Sequence, residues 1–170
     1  MKSYFVFLLL IVLFFAGCGK SEKDQFEEAN RLVQGKKYTE AISAFEKMAK
    51  EFPVGDFAAD AYYQIAKLYQ AGVVTGVDET TSQEKAVDYY QKVFVNYPKF
   101  ESAPSALFMS GFIQANTLGK YNEATVTYKK FLQTYPNNEL ADDAKVELDN
   151  MGLSPEEIIA KHQTQFNVTK

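Results

Sequence analysis

The apolar positions of the chain fall at helical spacing, and one arrangement of them is written three times. The first copy carries Ala41, Phe45, Phe52-Pro53, Ala58 and Ala61. The second carries Ala86, Tyr90, Tyr97-Pro98, Ala103 and Ala106, and the third Ala124, Tyr128, Tyr135-Pro136, Ala141 and Ala144. In every copy the ring stands four residues after the first alanine and the proline eight after the ring, with the later alanines five and eight past the proline. A lysine recurs at one offset as well: Lys47, Lys92, Lys130. Residues three or four apart share a helical face, so each alanine and its ring form one stripe of small and large side chains. Proline cannot continue a helix and pushes the residue before it out of helical angles. The unit therefore reads helix, stop, helix. One such unit cannot bury its apolar face alone, whereas stacked units can.

The same pattern predicts helices over 24–34, 39–51, 57–71, 81–97, 102–118, 122–135 and 139–151, and a short one after 154. Gly35 is placed to cap the first. Thr81 and Glu84 have the spacing of a capping box, Ser102 precedes a first turn that tolerates Pro104, and Ser154-Pro155-Glu156-Glu157 is a good helix start. Glu139 to Met151 is charged, as an end helix with one wet face should be. The tail after His162 is expected to fray. The interval Ala41–Ala86 is 45 residues and Ala86–Ala124 is 38, so the first holds an insertion at 73–82. It is either a tolerated surface loop or a contact loop, since Val73, Val74 and Val77 are expected to be exposed there. The third unit has one extra residue between Gly111 and Gly119, which leaves the register of that helix open.

The first twenty residues follow a different rule. Lys2 precedes thirteen apolar residues, 4–16. As a helix these span about 20 Å at 1.5 Å per residue, short of the roughly 30 Å hydrocarbon core. A signal peptide over 1–17 is expected rather than a membrane span. Phe15-Ala16-Gly17-Cys18 resembles the bacterial lipobox, with Phe15 where Leu is usual. Cys18 is the only cysteine, which excludes an internal disulfide. The resemblance makes it the lipidation site, carrying three acyl chains in many bacteria; each buried CH₂ adds about 0.8 kcal/mol, so several chains anchor durably. Gly19 in place of Asp leans towards the outer membrane by the enterobacterial sorting rule. Residues 19–23 are expected to be a polar tether of at most about 17 Å, with the repeats over 24–152 (24–53, 57–98, 102–136 and the end helix 139–151) and a C-terminal helix and tail over 153–170.

Composition narrows the function classes. The net charge is −4, with no basic block, which argues against nucleic acid. Fourteen Phe and eleven Tyr suit repeat packing. His162 is the only histidine, in a polar terminal helix. Asp142 and Asp143 point about 100° apart on a helix and read as a solvated face. No phosphate loop and no metal-ligand cluster appear. No catalytic residue, metal or cofactor is therefore expected.

Gly35-Lys36-Lys37-Tyr38-Thr39-Glu40-Ala41 and Gly119-Lys120-Tyr121-Asn122-Glu123-Ala124 resemble the turn and second-helix start of tetratricopeptide repeats. The Pro-x4-Ala-x2-Ala continuation resembles the BamD/YbgF group of bacterial envelope repeat proteins, over roughly residues 24–150. The resemblance implies an all-α tetratricopeptide-repeat α-solenoid of about three helix pairs plus C-terminal capping helices, behind a lipoprotein signal peptide. It also implies that the first helix of each pair lines a hollow face: Asn30 and Val33, then Tyr63, Lys67 and Gln70, then Phe108 and Phe112. These rings either face a peptide groove or are buried between helices. The function implied is a lipid-anchored scaffold binding other proteins, BamD-like in outer-membrane β-barrel assembly, with the barrel-assembly channel and other envelope lipoproteins as partners. The alternative is a YbgF-like or unassigned periplasmic scaffold for cell-wall or division complexes. BamD typically has five repeat pairs, and YbgF lacks a lipobox and carries a coiled coil.

Overall fold

The structure is a computed structural model describing residues 19–168, with the side chains of His162 and of 164–168 left undescribed. Cys18 and the leader lie outside the described residues. Among those described there are eight helices and no strand: α1 Glu22–Gln34, α2 Tyr38–Glu51, α3 Ala58–Gln70, α4 Glu79–Asn96, α5 Ala103–Asn116, α6 Tyr121–Thr134, α7 Ala141–Asp149 and α8 Pro155–Val168. The extensive helix–helix contacts all join sequence neighbours, from α1 with α2 through to α6 with α7. This is the connectivity of a solenoid, in which each unit is stabilised by the units on either side.

The repeated proline sets the geometry. Phe52, Tyr97 and Tyr135 end α2, α4 and α6 with one shared backbone conformation: φ −123, −132 and −128°, ψ 62, 56 and 54°. Their N–H groups still close a helical bond, onto Met48, Val93 and Phe131 O, before the following proline turns the chain away. Past each proline one bond tightens the turn, from Gly55, Phe100 and Asn138 N to Phe52, Tyr97 and Tyr135 O. The repeated alanines are buried, and Phe45, Tyr90 and Tyr128 are at most 1% exposed. Small residues let helices approach, and the rings fill the gaps one turn on. The core divides into a larger cluster centred on α1–α4 and a smaller one over α5–α7.

Several local expectations need correction. Helix α1 begins at Glu22, so the tether is shorter than 19–23. Ser21 and Asp24 form a capping box that pulls the chain into the helix early. Helix α4 is started by Asp78, not by Thr81 with Glu84. The Asp78 carboxylate accepts from Thr81 N at 2.9 Å and Thr81 Oγ1 at 2.6 Å. Ser102 occupies the cap position of α5 without a side-chain bond, and Pro104 stands in the first turn. The valines of the 73–82 insertion are not the exposed set expected. Val74 is 6% exposed, and Val73 and Val77 are half-buried against the first core cluster. The cause is that the loop is drawn back onto α3. Ser82 Oγ donates to Tyr69 O at 2.7 Å and Gln83 Nε2 to Gln70 O at 3.0 Å, satisfying the open carbonyls at that helix end. The extra residue of the third unit is absorbed in the turn after α5, where Leu118 N reaches back to Ile113 O and Gly119 takes φ +64°. The helix register over Ala106 and Ile113 is kept, and both are buried. The Ser154–Glu157 capping box forms, and α8 continues to Val168, past His162 where the tail was expected to fray.

Candidate protein-docking surfaces

The residues expected to line a groove stand on α1, α3 and α5, the first helices of the three pairs, but most of their tips are already engaged. Asn30 Nδ2 donates to Phe26 O of its own helix at 3.1 Å. Val33 is half-buried against the first core cluster. Tyr63 lies edge-on to Tyr90 and Phe100, with centroids 5.4 and 6.5 Å away, and burial pushes its phenol up. The Oε1 of Gln70 accepts from Tyr90 Oη at 2.6 Å. Tyr63 and Gln70 thus converge on Tyr90 of the partner helix. Phe108 belongs elsewhere, edge-on to Tyr128 at 5.5 Å and Phe131 at 5.9 Å. Of the expected lining, the exposed members are Lys67 and Phe112.

A second surface was missed by the sequence reasoning. Tyr62 and Tyr69 of α3 stand two turns apart, and Tyr89 of α4 stacks between them, 6.1 Å from the first and 5.8 Å from the second. Lys92 Nζ lies 4.2 Å over the Tyr89 ring, and Lys85 Nζ 5.1 Å over Tyr69. A cation over a ring face is attracted by its quadrupole. From α2, Glu46 accepts the Tyr89 hydroxyl. Burial first, and that bond second, raise the Tyr89 phenol, so it stays a donor. Tyr69, Tyr89, Lys85, Lys92 and Glu46 border a cleft of ≈ 430 Å³ between α2 and α4, which Ser43, Asp88 and Val74 of the insertion also line. Tyr69 and Tyr89 are 7 and 8% exposed, so most of each ring is core. The seven-residue spacing of Tyr62 and Tyr69 was the signal available, with the recurring Lys92 beside it.

A family profile described as YfiO, outer membrane lipoprotein, matches residues 19–165. The chain belongs to the YfiO family. No curated protein matches it. Membership makes the all-helical array a BamD-like, tetratricopeptide-type scaffold of a cell-envelope lipoprotein. YfiO scaffolds are typically non-catalytic. Among the described residues no three His, Cys, Asp or Glu side chains gather as a metal site, and no helix is long and apolar enough to cross a membrane.

The N-terminal end of the described residues is tied to the array by several bonds. Besides the Ser21 cap, Lys20 pairs with Glu28, and Gln25 Nε2 donates to Lys20 O at 3.2 Å. The Glu22 carboxylate reaches across to the turn before α3, accepting from Phe57 N at 2.7 Å and Asp56 N at 3.1 Å. In effect Glu22 caps a helix 35 residues away in sequence.

Proposed function

We propose that the chain is a lipid-anchored adaptor at the periplasmic face of the outer membrane, held by acylated Cys18, which docks other proteins in β-barrel assembly as BamD does. The barrel-assembly channel and companion envelope lipoproteins are the partners this reading names. The observation that carries it is the YfiO match over residues 19–165, nearly all of the described array. The tyrosine cleft between α2 and α4, which Val74 of the insertion lines, and the exposed Lys67 and Phe112 are the surfaces offered for docking.

Affinity recovery of the full-length lipoprotein from solubilised envelopes tests the partner. Co-recovery of the barrel-assembly channel is expected. Recovery of cell-wall or division proteins alone would move the chain to the alternative scaffold role. Replacing Cys18→Ala should shift the protein from the membrane to the soluble periplasmic fraction. Retention in the membrane would refute the lipid anchor.

A further inference from the structure

Glu22 does more than cap α3. Its two bonds fasten the 53–57 turn to the first turn of α1, four residues after Cys18. Four extended residues reach at most about 14 Å. The turn is therefore tied, through Glu22, to a point within that reach of the acylated cysteine. Gly55 is part of the fastening, because a Cβ there would collide with the Glu22 carboxylate.

The apex of this turn is Val54, 96% exposed. The turn itself does not ask for valine. Its counterparts after Pro98 and Pro136 are Lys99 and Asn137, both exposed and polar. Exposed Pro53 stands beside it, and Val95, 67% exposed, precedes the next turn. That next turn adjoins the first, since Tyr97 Oη donates to Pro53 O at 3.0 Å. Lys50, Glu51, Asp56, Lys99 and Glu101 surround the valines with both signs of charge. No net positive field forms there, so attraction to anionic headgroups is not what the edge is built for.

We propose that the Pro53-Val54-Gly55 turn is a second membrane contact, resting its apolar tip in the interface of the same leaflet that holds the anchor. This rests on the acylation of Cys18 proposed above. The acyl chains hold the protein at the bilayer; the turn fixes how the array is tilted, because two points of contact joined by Glu22 remove the swivel that a flexible tether would allow. The docking surfaces on α3 and α4 are then presented at a fixed angle to the membrane.

The test uses the full-length lipoprotein in vesicles of phosphatidylethanolamine and phosphatidylglycerol. Cys18 is the sole cysteine and is blocked once acylated, so a fluorophore can be placed on Val54→Cys alone or on Gln34→Cys, an exposed site at the far end of α1. Both positions are exposed, so the fold should tolerate either label. Lipids carrying a quencher near the headgroup should quench the probe at 54 severalfold more than the probe at 34, at low and high salt alike. Equal quenching, with the acyl mass on Cys18 confirmed, overturns this inference and leaves the anchor standing. A protein lacking the acyl mass overturns both.

Discussion

Tyr90 and Tyr128 occupy one position of the repeat, yet their hydroxyls meet opposite fates, so removing them should change stability in opposite directions. Tyr90 Oη donates to Gln70 Oε1 at 2.6 Å with its ring 1% exposed. Tyr128 Oη is buried and has no hydrogen-bond partner. Burial raises both phenols, so each is a neutral donor throughout the working range. Tyr90→Phe deletes a satisfied bond, which on average is worth about 1 kcal/mol net. Half-buried Gln70 can turn to water, which keeps the loss near that figure. Tyr128→Phe removes a polar atom that folding desolvates without compensation, and should gain about 1 kcal/mol. The first copy already has Phe45 at this position, fully buried, so the ring alone satisfies the packing. At roughly 2–4 °C per kcal/mol for a chain of this size, the first variant should melt about 3 °C below the parent and the second about 3 °C above. Thermal and urea unfolding of the detergent-solubilised protein, followed by far-ultraviolet circular dichroism, gives both values. Two shifts of the same sign would refute the reasoning. A loss in Tyr128→Phe as large as that in Tyr90→Phe would mean the third-copy hydroxyl is satisfied after all.

Four further outcomes follow from single contacts. Gly111→Ala would set a Cβ 3.0 to 3.2 Å from three atoms of the Tyr128 ring, which Phe108 and Phe131 pin; crowding of about 2 kcal/mol outweighs a helix-propensity gain of about 1, leaving a net loss near 1 kcal/mol by urea unfolding. Val74→Ala should cost about 1.5 kcal/mol in the same assay, two buried methylene equivalents, whereas a valine on an open loop would cost nothing measurable. Glu22→Ala should speed amide exchange at Asp56 and Phe57 roughly fivefold, the equivalent of about 1 kcal/mol for two half-exposed bonds, and leave α6 unchanged. The hydroxyl and then the N–H of Thr81 hold the Asp78 carboxyl below its ordinary value of 3.8, so its support for α4 is present above that pH and is lost as pH falls below it; Asp78→Asn keeps the cap and should flatten this part of the acid unfolding curve.

The stack of paired helices was legible because its signals are local. Tyr97-Pro98 ends a helix whatever surrounds it, and Ala86 with Tyr90 mark one face by spacing alone. What escaped depends on contacts distant in sequence. The insertion valines looked exposed because nothing in 73–82 reveals that Ser82 and Gln83 bind back to carbonyls 13 residues earlier. Thr81 with Glu84 has the spacing of a capping box, but Asp78, three residues ahead, supplies the N-cap. Tyr63 and Gln70 were read as groove lining by analogy, but Tyr90 of α4 takes up both. The tyrosine stack needs the register of α3 against α4, and each of its rings alone reads as ordinary core.

Comparison between copies separates what the array needs from what this chain adds. All three lysines of the repeat, Lys47, Lys92 and Lys130, are exposed, so their recurrence serves a wet face. Only Lys92 meets a ring, because the position three residues before it is Tyr89, where the other copies have Ala44 and Thr127. Ala44 packs on the first core cluster, and Thr127 donates to Gln114 Oε1 at 2.7 Å, so neither offers a lysine a face to rest on. The cleft between α2 and α4 thus forms where the first and second copies meet, around Tyr89, and is not a property of the repeat. A repeat keeps its shared positions because neighbours must stack. Tyr89, Tyr69, Glu46 and Lys85 stand at unshared positions; the two rings are also core, so packing accounts for them, but not for the carboxylate and the cations at their edges. Those charged edges around the α2–α4 cleft are what set this place in the array apart from the equivalent positions of the other copies.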